Sequence, residues 1–592
     1  MKKPERLKPY KNAQPYDTIV RARGILKECD LFVSENTYYM SKAKTFTSRI
    51  WLSDDDIFPL SIGTNGKGMT ARYALASAYG ELMERIQNMC ININNTPECF
   101  PEGCFYVPTN SERDFPEYSG FMKSVGADSP FLFTPDEKWK TVDEIVAEAA
   151  DILRKMRVYK NLSDSELKQM LSEFSCGGRL ACVPFYGVSQ KKQIYLPYKI
   201  LKVNTLCNGM CAGNSPKEAI IQGLSEIYER YAQQTVIMGN IEVPSIPEEL
   251  FAGTPIYEKL MGLKEQGIAV DILDFSCDMG LPVLALKLIN ETGAISIHPG
   301  ADPCPITALE RCLTETYQGA DGLVTQLRYK ARPIPMPDEN NESQLDGFYA
   351  NLKECFVYGA GGYPNNIHNS QKHLDFKGFD HPVSVSDDDD LDYMLSVAKQ
   401  NGYEVYVRDN SFLGFPAFDI LIPGMSDIAF FRGPKARNYL EYGKELYTLL
   451  SLPKAPLEDV ETLYEFLLTD SMKKYASISL KDCFPIGVSE YLPEGILEIN
   501  TMLEALKEQI RYLRGSGEAV FTRENWPVCY DCSHCAYQKE CNDCSHCAYQ
   551  KECKQAAFVK AFHPIREKLR ENSRPQIEEM FQTKHESYKG EK

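Results

Sequence analysis

The fold of this chain is decided by residues 215–230, SPKEAIIQGLSEIYER, where a capped helix start leads into alternating apolar and acidic positions. Ser215 is a favourable N-cap, Pro216 suits the first helical turn, and Glu218 follows the cap by three residues, as in a capping box. Residues 71–85, ARYALASAYGELMER, end in the same Glu-x-x-Glu-Arg signature. The sequence therefore predicts two helices that each carry a pair of glutamates.

The paired glutamates are Glu81 and Glu84 on the first helix, and Glu226 and Glu229 on the second. Residues three apart lie on one helix face, so each pair repels itself unless a cation neutralises it. Two such faces brought together would offer four carboxylates, which suits Mg²⁺ held with nucleotide phosphates. The alternative is a pair of surface helices with solvated charges. This alternative would be favoured if the Glu-x-x-Glu signature occurred only once. Two copies favour a nucleotide–metal site.

The second helix carries further candidate groups around this pair. At about 100° per residue, Glu229 lies about 20° from Glu218 and Glu226 about 80° from it, so all three can face one pocket. Arg230 follows as a candidate partner for a phosphate. Asn214 precedes the helix, where free backbone N–H groups favour anions.

A third predicted helix, residues 303–328, adds Arg311 and Glu315, which are four apart and therefore on one face. Lys67 lies in the glycine-rich segment 64–68, TNGKG. This segment lacks the Walker A spacing, and glycines alone are weak evidence for a ligand-facing loop. The three helices together indicate a nucleotide site more strongly than any one of them.

Composition sets outer limits on function. The chain has 592 residues, of which 43% are hydrophobic and 25% charged, so we expect a globular protein of two or three domains. The net charge of −17 without a basic stripe argues against primary binding of nucleic acid or of an anionic membrane surface. No apolar run predicts a membrane span or a signal peptide, so we expect a cytoplasmic location.

Local patterns predict several other elements. They are a capped helix over 14–33, a strand over 193–204, two strands within 268–298, a solvated acidic helix start at 387–390, and helices over 455–515.

The cysteines fall into two groups. Of the twenty, thirteen are scattered from Cys29 to Cys483, where a buried thiol is the default interpretation. The other seven crowd into residues 529–553 with the spacing of metal ligands. They are Cys529, Cys532, Cys535, Cys541, Cys544, Cys547 and Cys553.

The crowded segment is a near-perfect tandem repeat, because DCSHCAYQKEC occurs at 531–541 and again at 543–553. An iron–sulfur cluster would accept four of the thiolates, and this is the interpretation that the spacing favours. Zinc, with His534 or His546 as an added ligand, is the alternative. A third interpretation is that the repeat arose by a recent duplication and that one of its two copies binds no metal.

Three ordered stretches resemble the signatures of the YcaO family: residues 64–85, 208–230 and 308–318. The chain is most similar to the branch of stand-alone bacterial members, with which it shares PGMSDI at 423–428 and an N-terminal lysine, here Lys11.

The resemblance covers roughly residues 1–450 and implies an α+β protein with the YcaO-type ATP-binding fold of mixed sheets and helices. We expect residues 451–592 to form a helical C-terminal region that includes a small Cys-rich domain. Its metal-binding segment would be 529–553.

The resemblance also implies that the chain binds ATP and Mg²⁺ and uses the nucleotide to phosphorylate a backbone amide oxygen of a peptide. Glu81, Glu84, Glu226 and Glu229 would hold Mg²⁺. The nucleotide contacts would be Lys11, Asn214, Glu218, Arg230, Arg311 and Glu315. The resemblance assigns no catalytic residue.

Several reactions are open to an activated amide. External sulfide gives a thioamide, and a neighbouring Cys, Ser or Thr gives an azoline ring. The stand-alone branch is associated with β-methylthiolation of a small-subunit ribosomal protein, as accessory factor to a radical-SAM methylthiotransferase. We therefore expect a peptide or protein substrate, a sulfur-transfer or radical-SAM partner, and a homodimer.

Three alternatives accompany this expectation. The first is an azoline-forming cyclodehydratase, whose typical Pro-x-Pro-x-Pro tail does not occur in residues 585–592. The second is a non-catalytic ATP-binding scaffold for a sulfur-transfer partner. The third is a carboxylate-rich metal hydrolase that uses no nucleotide.

Overall fold

The structure is a computed structural model, and the described residues are 7–53, 59–88, 134–157, 159–173, 179–205, 207–318, 384–428, 455–469, 477–479 and 496–522. Shorter pieces between 333 and 376, residues 448–452, and five single positions from 565 to 581 are also described. The mixed helices and sheets of this part confirm the α+β class. The predicted Cys-rich domain, 529–553, lies outside the described residues.

The strands, in chain order, are β1 (Phe32–Met40), β2 (Thr45–Ser53), β3 (Pro59–Gly68), β4 (Lys138–Thr141), β5 (Arg179–Gly187), β6 (Lys192–Pro197), β7 (Met210–Ala212), β8 (Ser245–Ile246), β9 (Ala269–Asp274), β10 (Val283–Ile289), β11 (Ile295–Ala301), β12 (Tyr406–Asp409), β13 (Ala417–Leu421), β14 (Ser477–Ser479) and β15 (Ile496–Glu498).

The α-helices are α1 (Pro15–Glu28), α2 (Ala71–Gln87), α3 (Val142–Leu153), α4 (Asp164–Glu173), α5 (Tyr198–Thr205), α6 (Pro216–Met238), α7 (Pro255–Glu265), α8 (Pro305–Thr316), α9 (Asn365–His368), α10 (Asp387–Gln400), α11 (Leu457–Leu467) and α12 (Ile499–Leu513).

In the part of the chain that the structure describes, the strands form four sheets, and neighbouring strands within them pair antiparallel. One sheet has the order β1-β2-β3, and a second has the order β11-β10-β9-β8. A six-stranded sheet has the order β4-β5-β12-β13-β7, with β6 paired to β5. The fourth is the hairpin of β14 and β15. Strands distant in sequence are therefore neighbours in the sheets.

Three strand–helix units build the part of the fold that bears the predicted site: β3 into α2, β7 into α6, and β11 into α8. Glycine brings each strand and helix close together. A Cβ at Gly66 would lie 1.9 Å from the Ala74 carbonyl oxygen, and one at Gly300 would lie 2.5 Å from that of Ala308. In the middle unit, Gly223 of α6 lies against Cys211 of β7. The apolar faces of these helices therefore pack on the sheets. The faces that carry the glutamates are then free to line a cleft.

Local caps explain where two of these helices begin. The Thr70 hydroxyl accepts a hydrogen bond from the Tyr73 N–H at the start of α2, and Ser215 accepts one from Glu218 at the start of α6. The predicted start at Ser215 is therefore confirmed. The helix predicted over 303–328 is shorter in the structure, because α8 begins at Pro305 and already ends at Thr316, with Tyr317 as its C-cap residue.

Several predicted elements differ from the structure. The segment 193–204 changes from strand to helix after Pro197, because a short apolar pattern does not separate the two conformations. The region 268–298 contains the two predicted strands, β9 and β10, which pair antiparallel, but it also enters a third strand, β11, that was not predicted. A hairpin, β14–β15, interrupts the helices predicted over 455–515.

The acidic start of α10 is also different from the prediction. The helix begins at Asp387 with Ser386 as its N-cap, but Asp390 is 2% exposed and therefore buried. The expectation of a fully solvated acidic run is wrong, because lysines from two other parts of the chain pair with it. Among the helices described, none is both long and apolar enough to cross a membrane.

Candidate functional site

The glutamates of α2 and α6 meet in one cleft. Burial raises the pKa of Glu84 well above its usual range, and the nearby charges of Glu226 and Glu81 raise it further. Burial likewise raises the pKa of Glu81, which Glu226 also raises while Arg85 lowers it. The Glu81 and Glu84 side chains keep 30% and 15% of their surface exposed, so they line an open cleft rather than a sealed core.

Arg311 of α8 faces these carboxylates from the third side. Its Nη2 lies 3.8 Å from Glu229 Oε2, and its Nη1 donates a 2.7 Å hydrogen bond to Gln222 Oε1. Its Nε is buried and has no hydrogen-bond partner within the structure described. A buried guanidinium whose Nε–H has no partner is chemically suited to an anion.

Two other cations flank the same carboxylates. Lys67, at the end of β3, forms an ion pair with Glu315 of α8. Burial lowers the pKa of Lys67 to about 8, although the Glu229 carboxylate raises it. Arg230 Nε lies 4.0 Å from Glu226 Oε1, one helical turn away. Lys67, a weak candidate on its sequence, therefore lies at the cleft in the structure.

Glu218 turns away from the glutamate pair toward the N-terminal segment. Its Oε2 accepts a 2.7 Å hydrogen bond from the Asn12 N–H, and its Oε1 accepts bonds of 3.2 and 3.0 Å from Asn214 N and Nδ2. Lys11 Nζ lies 3.7 Å from Glu218 Oε1. The predicted capping box is therefore only half formed, because this carboxylate binds Asn12 and Asn214 instead of returning to the Ser215 N–H.

All ten predicted residues outside the cysteine segment thus fall into two adjoining groups. One surrounds the cleft, and the other surrounds the start of α6. The first group is Glu81, Glu84, Glu226, Glu229, Arg230, Arg311 and Glu315, and the second is Lys11, Asn214 and Glu218.

The donor atoms of the cleft suit a hard divalent cation. They are carboxylate oxygens, which Mg²⁺ prefers, and burial raises the pKa values of two of them, Glu81 and Glu84. Within the described residues, however, no three His, Cys, Asp or Glu side chains have converged on one point. The chemistry of the donor set nevertheless fits Mg²⁺.

One polar group at the cleft was missed from the sequence. His298 lies in β11, is 8% exposed, and its Nε2 has no hydrogen-bond partner in the part of the chain that is described. Its pKa is lowered to about 3, chiefly by burial and in smaller part by the charges of Lys67 and Arg230. Gly359, at φ +62°, lies directly against the imidazole. The signal available in the sequence was a lone histidine inside a largely apolar segment, 295–301.

A profile for ATP- and Mg²⁺-binding cyclodehydratases matches residues 65–426. Because this match spans more than half of the sequence, the chain belongs to that family, the YcaO family. The family resemblance of the three motifs is thereby confirmed.

Two curated relatives match over 371 residues. The ribosomal protein S12 methylthiotransferase accessory factor YcaO of Escherichia coli K12 is 29% identical, and an uncharacterized protein of Haemophilus influenzae is 28% identical. Each match covers 62% of this chain and 57% of the relative. The chain thus matches little more than half the length of these proteins.

Solved structures give weaker similarities. A heterocyclase in complex with substrate and cofactor is 18% identical, with a TM-score of 0.44 over 72% of this chain and 55% of that one. YcaO from Methanopyrus kandleri, bound with AMPPCP and Mg²⁺, is 15% identical, with a TM-score of 0.42 over 71% and 93%.

Proposed function

We propose that this protein binds Mg²⁺-ATP in the cleft between α2, α6 and α8 and activates a backbone amide of a peptide by phosphorylating its oxygen. The observation that carries the proposal is the meeting of carboxylates from α2 and α6 opposite Arg311. Membership of a family of ATP- and Mg²⁺-binding proteins supports it.

The carboxylates Glu81, Glu84, Glu226 and Glu229 would hold Mg²⁺. They offer hard oxygen ligands, and their like charges need a cation between them. In return, the cation would neutralise Glu81 and Glu84, whose pKa values are raised chiefly by burial.

The cationic side chains would bind the nucleotide phosphates. Arg311 can donate its unused Nε–H to a phosphate oxygen, and Arg230 lies beside Glu226 on the same cleft. Glu315 holds Lys67 by an ion pair at the same wall. Lys11, Asn214 and Glu218, which contact one another near the start of α6, would contact the rest of the nucleotide.

When bound, Mg²⁺-ATP supplies the phosphoryl group that turns an amide oxygen into a leaving group. The residues of the cleft hold and orient the charged groups and keep their geometry fixed on three packed helices. We propose sulfide as the nucleophile that then enters, which would leave a thioamide. An azoline-forming reaction with a side-chain nucleophile is the alternative.

A role in sulfur chemistry draws support from two sources. One relative is named an accessory factor of ribosomal protein S12 methylthiotransferase, so assistance to β-methylthiolation of a ribosomal protein is a second form of the proposal. The cysteine spacing of 529–553 is the other source, and we propose that it holds an iron–sulfur cluster, with Zn²⁺ as the alternative. A sulfur-transfer or radical-SAM partner, a homodimer and a cytoplasmic location stay predictions.

Calorimetric titration of the full chain with Mg²⁺ and a non-hydrolysable ATP analogue tests the proposal. We expect binding by the wild type, and a loss of at least a hundredfold in affinity for Glu226→Gln and for Glu229→Gln, because each loses an anionic ligand. Glu265→Gln, an exposed change at the end of α7, is the matched control and should bind normally. Unchanged affinity in both cleft variants would contradict the site.

Two further outcomes separate the alternatives. Binding of Mg²⁺ without any nucleotide would favour the metal hydrolase. Nucleotide binding with no ATP consumption in the presence of the true peptide would favour the non-catalytic scaffold.

A further inference from the structure

The N-terminal segment of residues 7–14, here called the strap, crosses from the start of α10 to the start of α6. At one end, the Leu7 N–H donates a 2.9 Å hydrogen bond to the Ser384 carbonyl oxygen. At the other end, Gln14 is the N-cap residue of α1. The strap is therefore tied to the fold on both sides.

The acidic start of α10 anchors the strap through one lysine. Lys8 Nζ lies 2.5 Å from Asp387 Oδ1 and 2.5 Å from Asp390 Oδ2. The side chains of Lys8 and Asp390 are only 9% and 3% exposed, and Asp390 also accepts a 2.6 Å hydrogen bond from the Ser384 hydroxyl. Such ion pairs are little screened by solvent, so losing one partner has a large effect.

The next residues of the strap connect this anchor to the proposed nucleotide site. Asn12 Nδ2 donates hydrogen bonds of 2.6 Å to Asp387 Oδ2 and of 2.6 Å to Ser215 Oγ. Its backbone N–H donates to Glu218 Oε2, and the neighbouring Lys11 lies against the same carboxylate. The orientation of Glu218 thus depends on where the strap lies.

We propose that Lys8, Asp387 and Asp390 are positioning residues that hold the strap over the start of α6 and so set Lys11 and Asn12 for nucleotide binding. This inference rests on the proposed function. The acidic run of α10 is then part of the binding apparatus, although none of its side chains needs to touch the nucleotide.

The same acidic run offers a matched control. Lys217 Nζ lies 2.6 Å from Asp388 Oδ1, and this pair joins α6 to α10 without involving the strap. Its side chains are 34% and 45% exposed, so solvent screens the pair. Removing Lys217 changes the charge of the region by the same amount as removing Lys8.

The test compares Lys8→Met, Lys8→Arg and Lys217→Met by calorimetry with Mg²⁺ and a non-hydrolysable ATP analogue, with thermal unfolding recorded for each. We expect Lys8→Met to weaken binding about tenfold, Lys8→Arg to restore it to within about threefold, and Lys217→Met to stay within about twofold. The double variant Lys8→Met/Asp390→Asn removes the lysine together with one of its two aspartate partners, so fewer buried charges lose their partner. It keeps the test usable if Lys8→Met folds poorly.

A second measurement needs no nucleotide. Amide hydrogen exchange at Asn12 should be at least about tenfold faster in Lys8→Met than in the wild type, because the anchored strap protects this N–H. Unchanged exchange, unchanged affinity, or an equal loss in Lys217→Met would each overturn the inference. If the wild type binds no nucleotide, the proposed function fails, and the exchange rates still decide whether Lys8 holds the strap.

Discussion

Arg311 Nη2 lies 3.8 Å from Glu229 Oε2, and this contact joins α8 to α6 across the cleft. The two side chains are 12% and 11% exposed, so neither can turn to bulk water for a substitute partner. The pair therefore serves the fold as well as the proposed site, because each residue neutralises a charge that the other helix would otherwise bury.

Removing Arg311 should cost stability. We expect Arg311→Met to lower the free energy of unfolding by about 3 kcal/mol, since it leaves the Glu229 charge and the Gln222 amide oxygen without their donor. Arg311→Lys should recover part of this loss. Arg511→Met is the control, because the Arg511 side chain is 62% exposed in its pair with Glu508. This change should lower the free energy of unfolding by less than about 0.5 kcal/mol. Urea unfolding measures all three, and equal losses at both arginines would contradict the contact.

His298 should give the protein a measurable dependence on pH. Its pKa is lowered from 6.5 to about 3 in the folded state, so the unfolded chain binds an extra proton between these values. The free energy of unfolding should therefore fall as pH drops below 6.5, by up to about 1.4 kcal/mol per pH unit from this residue.

The variant His298→Gln should lose that part of the slope. Unfolding in urea at pH 8, 7, 6 and 5 gives the difference between wild type and variant, which should change little from pH 8 to 7 and shrink below pH 6.5. Parallel curves from pH 7 down to 5 would exclude a buried, neutral His298.

Two glycines beside the site should respond in opposite ways to alanine. Gly66→Ala would place a methyl group 1.9 Å from the Ala74 carbonyl oxygen and 2.3 Å from the Ala78 N atom, and this backbone cannot move aside. We expect a loss of more than about 3 kcal/mol or no soluble protein.

Gly80→Ala, within α2, is the matched change. Nothing described lies within 4 Å of a Cβ built there, so alanine should stabilise the helix by about 0.5–1 kcal/mol. Soluble yield and urea midpoints compare the pair. Equal tolerance at the two positions would mean that β3 and α2 are not packed this closely.

The cysteine spacing of residues 529–553 predicts a bound metal, and the metal content of the purified protein can be measured directly. We expect protein purified without oxygen to be brown and to contain iron with labile sulfide, because the spacing of residues 529–553 suits a cluster. Deleting residues 543–553 should leave the iron content unchanged if one copy of the repeat is idle. A colourless protein with zinc would reject the cluster and give the segment a structural role.

Features encoded locally could be predicted from the sequence. The cap at Ser215 and the helix that follows depend on residues within one turn of each other. The glutamate pairs of α2 and α6 could also be predicted, because glutamates three residues apart lie on one face of a helix. The glycine-rich segment 64–68, which the sequence left open as a loop, belongs to β3.

Features that depend on distant partners could not be predicted. Glu218 was expected to close a capping box, but Asn12 reaches it from a segment about two hundred residues earlier. The buried state of Asp390 depends on Lys8, which lies far outside any local window. His298 becomes a candidate site residue only when the structure shows β11 beside the cleft. A single histidine forms no repeating sequence pattern that could have predicted this position.

The strap also has a consequence for biosynthesis. Lys8 is synthesised 379 positions before its partner Asp387. The strap therefore cannot dock until α10 has emerged, and a nascent chain that stops before that point lacks the anchor for the start of α6. The strap would thus find its native contacts long after its own synthesis.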